Sequence, residues 1–239
     1  MTISFSPCVL FRAALHGRLR LTNEELVQID GHHFLQSCSA VNPELCEALK
    51  NEIQAEKQLE AENLGGANAP SIPGFTVTTK DAEVRLTKTH GSEKILVIFN
   101  VSHSVDMDEF DEEVEAVIPP LPVALPPFSI EITKGEERLC FNLELVRNAD
   151  EEGQYDFRVE EFYVAPAAKG QDETVDDSVY ASSGKYIDPH LHELLFLRYL
   201  EERGFNAKFC QDLVNFATHY EHSQYVSLLS KIRTFVGKQ

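Results

Sequence analysis

An α+β fold is what this sequence predicts: one antiparallel sheet of seven strands, preceded by one helix and followed by two. Three observations carry it. The apolar period changes from 3.6 to 2 at Phe75 and returns to 3.6 after Asp188. The stretches of period 2 follow one another through short turns such as His90-Gly91 and Lys134-Gly135, which join antiparallel neighbours. The helical stretches open on capping residues: Asn42-Pro43, Asp188-Pro189 and Asn206.

Residues 1–41 read as a basic leader and linker. Arg12, Arg18 and Arg20 precede the first acid, Glu24, and Phe5, Val9, Leu10, Phe11, Leu15 and Leu19 supply an apolar face. This composition suits a mitochondrial presequence, and an ordinary basic helix would share it. His32-His33 is expected in a solvated turn. A helix over 42–63 follows, with Leu45, Leu49, Ile53 and Leu59 as a narrow stripe suited to one long partner helix.

The strands fall between 72 and 182. Phe75 and Val77 alternate with threonines, and Val84 and Leu86 with Glu83, Arg85 and Thr87. Residues 95–101 are apolar on both faces, which predicts a central strand covered on both sides. Phe128, Ile130 and Ile132 alternate, as do Leu139, Phe141, Leu143 and Leu145, then Tyr155, Phe157 and Val159. The phase then jumps to Phe162 and Val164, which predicts a bulge at Glu160-Glu161. A short last strand is expected near 178–182.

Helices are predicted over 188–203 and 206–236, separated by Arg203-Gly204. In the second, Phe209, Leu213, Phe216, Ala217 and Tyr220 continue into Tyr225, Leu228, Leu229, Ile232, Phe235 and Val236. The slip of five at Tyr220–Tyr225 suggests a bend near His219–His222. Tyr199, Tyr220 and Tyr225 read as packing residues.

The chain carries 39 acidic residues against 21 basic ones, a net charge of −18. That disfavours strong direct binding to nucleic-acid phosphates and favours basic protein partners. Much of the charge sits in two insertions. One holds Asp106, Asp108, Glu109, Asp111, Glu112, Glu113 and Glu115 with no base; the other includes Asp172, Glu173, Asp176 and Asp177. Both are expected to be solvated loops. The apolar run 117–128 is broken by five prolines, and nothing reaches the roughly 20 residues of a membrane-spanning helix.

Five cysteines at wide spacings, with no C-x-x-C, argue against a disulfide framework or a cysteine zinc site and fit a reducing compartment. The G-x-G-x-x-G, P-loop, H-E-x-x-H and G-x-S-x-G motifs are absent. The run from Asp106 to Glu115 does not place a central glycine and a terminal glutamate at the fixed positions of a calcium loop. His219 and His222 could share a helix face but bring no third metal ligand, so exposed or core-edge positions are expected for them. No catalytic residue, metal site or cofactor follows from these patterns.

The run Leu194-Leu-Phe-Leu-Arg-Tyr-Leu-Glu-Glu-Arg-Gly204, then Phe209, Leu213, Glu221-His222-Ser-Gln-Tyr225 and Thr234-Phe-Val236, resembles the C-terminus of the mitochondrial acidic matrix protein, or mitochondrial glycoprotein, family. Two earlier patches agree: Gly91-Ser-Glu-Lys-Ile95 with Val97, Phe99-Asn100-Val101 and Ser104, and residues 43–60. The resemblance covers 42–239. It implies a twisted seven-stranded sheet flanked by one N-terminal and two C-terminal helices, in a ring-shaped homotrimer with one acidic face. It implies helix pairing or oligomer contacts through Leu49, Ile53, Leu228, Ile232, Phe235 and Val236, and assigns the acids of the two insertions to partner binding. Leu228 stands where relatives often have an aromatic residue, and Ser230-Lys231 where animal members of the family have acids.

What the resemblance implies for function is a non-enzymatic, chaperone-like binding protein of the mitochondrial matrix. Its partners would be basic ribosomal or RNA-binding proteins, in support of translation, ribosome assembly, RNA processing or oxidative phosphorylation. Some members also occur elsewhere in or on the cell. Two rivals remain at this point: a regulator of one RNA-binding or RNA-editing factor, and a metal-dependent hydrolase built from clustered carboxylates.

Overall fold

A computed structural model describes residues 31–66, 70–106, 122–148, 154–170 and 175–238, with side chains from 41 onward. The basic leader before residue 31 lies outside the described residues. The chain forms two compact units. One spans 69–221; the other combines the residues up to 68 with 222–239.

The sheet unit holds β1 (Thr76–Lys80), β2 (Glu83–His90), β3 (Glu93–Asn100), β4 (Val105–Asp106), β5 (Val123–Ala124), β6 (Phe128–Lys134), β7 (Glu137–Arg147), β8 (Tyr155–Pro166) and β9 (Ser182–Ser183). Seven of them form one antiparallel sheet in the order β1-β2-β3-β6-β7-β8-β9. β4 and β5 pair separately; in sequence they flank the acidic insertion, β5 lying between Pro122 and Pro126. Asn142 pairs with Glu161 and Leu143 with Val159, so Glu160 is the extra residue of a bulge. That resolves the phase jump: Phe162 rejoins the inner row beside Phe141.

One sheet face is apolar because alternate residues of every long strand point to it. In β3, Ile95, Val97 and Phe99 are buried. Leu96 and Ile98 on the opposite face are only half-buried, so the expected covering of both faces is a correction. Their neighbours there are Glu131, Ser129 and Thr87, a mixed surface rather than a second core.

Two C-terminal helical segments cover the apolar face. The first begins as α2 (Pro189–His192), widens into a π-helical stretch (Glu193–Arg198) and ends as α3 (Tyr199–Glu201). Asp188 caps it, its carboxylate accepting from the His190 and Leu191 amides at 3.0 and 3.1 Å. Asp188→Ala is expected to cost about 1 kcal/mol in urea unfolding. At the other end Phe205 N–H donates to Leu200 O and Gly204 N–H to Glu201 O, closing a Schellman motif with Gly204 at φ 84°.

Asn206 caps α4 (Ala207–Val236), accepting from Phe209 N at 3.0 Å. Phe196, Leu200, Phe205, Phe209, Leu213 and Phe216 bury against Val84, Val97, Phe128, Ile130 and Phe141. Each such side chain contributes about 1.5–3 kcal/mol by leaving water. Phe196 sits edge-on to both Phe141 and Phe162, with centroids 6.1 and 5.2 Å away.

The second unit pairs α1 (Gly31–Asn63) with the end of α4. α1 begins eleven residues earlier than the expected start at Asn42, with Pro43 inside it and His32-His33 in helix rather than a turn. An internal proline removes one hydrogen bond and crowds the carbonyl four residues back, but does not end this helix. Leu49, Ile53, Val226 and Leu229 form a small buried cluster with Tyr225 packed on it. α4 is unbroken from 207 to 236. The slip at Tyr220–Tyr225 marks where its apolar stripe changes partner, from the sheet core to α1.

Candidate functional site

The acids singled out by the sequence divide into those the structure positions and those outside the described residues. Asp108, Glu109, Asp111, Glu112, Glu113, Glu115, Asp172 and Glu173 lie outside. Asp106 stands on β4, where Arg147 Nη2 reaches its carboxylate at 3.3 Å. Asp176 and Asp177 are exposed on a turn. Asp176 accepts from Ser178 N at 2.8 Å, and the Ser178 hydroxyl and amide hold its carboxyl below the usual range.

Glu160, the bulged residue, sits in an exposed network. Arg158 bonds both Glu160 and Glu144, and Lys185 reaches Glu160 at 3.0 Å. The Arg158 and Lys185 hydrogen bonds hold the Glu160 carboxyl low. The bulge thus gathers two acids and two bases into a local patch.

Two ion pairs, one part-buried and one buried, were not legible in the sequence. On the outer sheet face Arg138 Nη1 donates to Glu131 at 2.8 Å. On the inner side Arg203 clasps both oxygens of Glu93, at 2.8 and 3.0 Å. Arg203 also donates to Tyr199 O and lies 3.4 Å over the Tyr199 ring. Lys88 donates to the Arg203 carbonyl and stands 4.5 Å over Phe75. Burial lowers the Lys88 pKa.

The Arg203 hydrogen bond, more than its charge, holds the Glu93 carboxyl below the ordinary range against the opposing effect of burial. A carboxyl depressed in the folded state contributes stability above its unfolded value near about 4.3 and loses it as pH falls through the folded value. Unfolding free energy is therefore expected to drop with acidification below about pH 5. The drop should be smaller in Glu93→Gln, as read from urea curves at several pH values.

The remaining candidates are structural. His219 and His222 are buried rather than exposed or at the core edge. His222 Nδ1 lies 3.5 Å from Glu56 Oε2, and its Nε2 lies 3.2 Å from the Glu56 carbonyl. Tyr220 stacks on Phe216 and donates to Asp81 O at 2.6 Å. Burial pushes the Cys140 and Cys210 thiols up to about 12, so neither supplies a thiolate at neutral pH. Among the described residues no group of three His, Cys, Asp or Glu could hold a metal ion, and no helix is long and apolar enough to cross a membrane.

The residues expected to pair helices separate into two sets. Leu49 and Ile53 are buried with Val226 and Leu229. Leu228, Ile232 and Phe235 are exposed, and Val236 is half-buried. The chemistry on display is charge and exposed apolar surface.

Residues 49–236 match the mitochondrial glycoprotein family, MAM33. The chain is 61% identical over 226 residues to conserved regulator of innate immunity protein 3 of Caenorhabditis elegans, covering 93% of this chain and 96% of that protein. It is 27% identical over 220 residues to the mitochondrial complement component 1 Q subcomponent-binding protein of Mus musculus, covering 84% and 76%. Among solved structures, the Trypanosoma brucei p22 protein superposes with a TM-score of 0.56 at 21% identity, over 83% of this chain and all of that one. A Leishmania major homologue of human p32 gives 0.59 at 18%, over 82% and 99%. With the matched region taking in most of the sequence and the seven-stranded sheet, this chain belongs to the mitochondrial glycoprotein family.

Proposed function

We propose that this chain is an acidic, non-catalytic, chaperone-like binding protein of the mitochondrial matrix, assembled as a ring-shaped homotrimer. Its partners are basic proteins, ribosomal or RNA-binding ones among them, and its work supports mitochondrial translation, ribosome assembly or RNA processing. The observation that carries this reading is the charge of −18 on a member of this family. Three copies carry −54, enough to steer basic proteins from a distance and to make binding weaken with salt.

The acids from Asp106 to Glu115, with Asp172, Glu173, Asp176 and Asp177, are the partner-binding set in this proposal. Leu49, Ile53, Leu228, Ile232, Phe235 and Val236 serve helix pairing and assembly. A pull-down from matrix extract tests it: basic proteins are enriched and released by salt. Absence of salt-sensitive enrichment would count against the reading.

A second reading is a specific regulator of one mitochondrial RNA-binding or RNA-editing factor; a regulatory role is the one that the name of the C. elegans relative, a regulator of innate immunity, carries. Changing the acids from Asp106 to Glu115 to amides separates the two. A bulk-charge complex weakens at least tenfold, whereas a complex with one specific factor barely changes.

A further inference from the structure

The exposed apolar side chains of the sheet unit are gathered at one place. Among its described residues the large ones are Val164, Tyr180, Tyr186, Leu191, Leu194 and Leu197, all between 164 and 197 in a unit that spans 69–221. Phe162 connects them in the fold. Ser182 of β9 pairs with it, Val164 follows it by two positions, and the Phe196 ring stands edge-on to it at 5.2 Å. The two tyrosines bracket β9, and Leu194 and Leu197 flank Phe196. One exposed leucine or tyrosine is ordinary; a patch of them marks a contact surface.

Tyr180 and Tyr186, 83% and 90% exposed, are the most exposed large apolar side chains among the described residues. The backbone between them is held against the sheet. A Cβ at Gly184 would meet the Val159 carbonyl oxygen at 2.1 Å, so the turn lies directly on β8. The π-helical stretch Glu193–Arg198 keeps Phe196 buried and Leu194 and Leu197 exposed, in a geometry concentrated at functional sites. The surroundings are acidic. Residues 175–202 hold Asp176, Asp177, Asp188, Glu193, Glu201 and Glu202, all exposed, against Lys185 and Arg198. Lys185 is taken up by Glu160 at 3.0 Å.

We infer that this patch docks an amphipathic, arginine-bearing segment of a basic partner protein, its apolar side on the leucines and Val164 and its guanidinium groups on the faces of Tyr180 and Tyr186. The inference rests on the reading of the chain as a binder of basic proteins and names a surface for it. A guanidinium is flat and weakly hydrated, so it stacks on a tyrosine ring while its edge meets carboxylates. Bulk charge alone asks for no exposed rings or leucines; this patch supplies both beside the acids. The patch meeting its own image would set like charges against each other.

The test uses the full chain and three synthetic probes: an amphipathic leucine–arginine helix, the same helix with lysine in place of arginine, and oligolysine without apolar residues. In calorimetry the parent is expected to bind the arginine helix at least tenfold more tightly than oligolysine, and about threefold more tightly than the lysine helix. Tyr180→Ala/Tyr186→Ala should weaken binding of the arginine helix about tenfold, and Leu194→Gln/Leu197→Gln by as much. Both should leave oligolysine binding within about twofold of the parent, since no charge changes. Tyr180→Phe/Tyr186→Phe should keep the parental affinity, because the ring faces remain. Circular dichroism checks that the variants stay folded.

Alanine variants that hold the arginine helix as the parent does overturn the inference. A parent that binds the arginine and lysine helices equally also overturns it, and that result needs no variant. A fall in particle mass of either variant in light scattering would make the patch a contact between copies, which overturns it too. Oligolysine bound by the parent as tightly as the arginine helix defeats this surface alone and leaves the client reading standing. Failure of the parent to bind any of the three probes defeats the client reading, and this surface with it.

Discussion

Replacing Arg203 by methionine is expected to lower the unfolding free energy by about 3 kcal/mol. Glu93 and Arg203 are 6% and 7% exposed, so the substitution leaves a carboxylate out of water without its bidentate partner. Lys134, 3.8 Å from Glu93 and itself exposed, compensates only in part. The loss extends beyond the pair. The Arg203 side chain also donates to Tyr199 O, at the start of α3, and lies over the Tyr199 ring. Adding Glu93→Leu to Arg203→Met should recover most of the stability, because two apolar groups replace the pair and no charge is stranded. A double-mutant cycle read by urea unfolding checks this; equal losses in the single and double variants would refute the buried-pair account.

Gly184→Ala is expected to cost about 3 kcal/mol, at the upper end for overpacking. A Cβ at Gly184 would lie 2.1 Å from the Val159 carbonyl oxygen and 2.9 Å from its carbon. Both are backbone atoms of β8, so no side-chain rotation relieves the overlap. The 3-10 turn Gly184–Tyr186, capped by Ser183, must move, and β9 holds β8 through only two residue pairs. The expected signature is a lower Tm together with faster amide exchange at Glu161 and Phe162. Gly170→Ala is the matched control: nothing lies within 4 Å of a Cβ there, and stability should be unchanged.

What could be read from the residues was what one buried face imposes. Alternation in β2, β6 and β7 gave the sheet its inner row. The phase jump after Val159 located the bulge at Glu160, because a single extra residue reverses every later side chain. Asp188, Gly204 and Asn206 marked helix ends because orphan amides and a left-handed residue have few chemical solutions.

The failures share a cause: distant or competing partners. Arg203 and Glu93 are 110 residues apart, and nothing local marks either as buried. Asn42-Pro43 has the chemistry of a helix start, yet α1 continues through it, with one backbone hydrogen bond missing at the proline. The last turns of α4 are apolar on two sides. Periodicity could not say that Val226 and Leu229 face α1 while Leu228, Ile232 and Phe235 face outward.

The central claim is that charge, not chemistry, makes this protein's contacts. The direct measurement is calorimetric binding of polylysine to the full chain across a salt series. Affinity is expected to fall more than tenfold between about 50 and 300 mM salt, and to fall again when the acids from Asp106 to Glu115 become amides. An affinity unchanged by both salt and those substitutions would contradict the account.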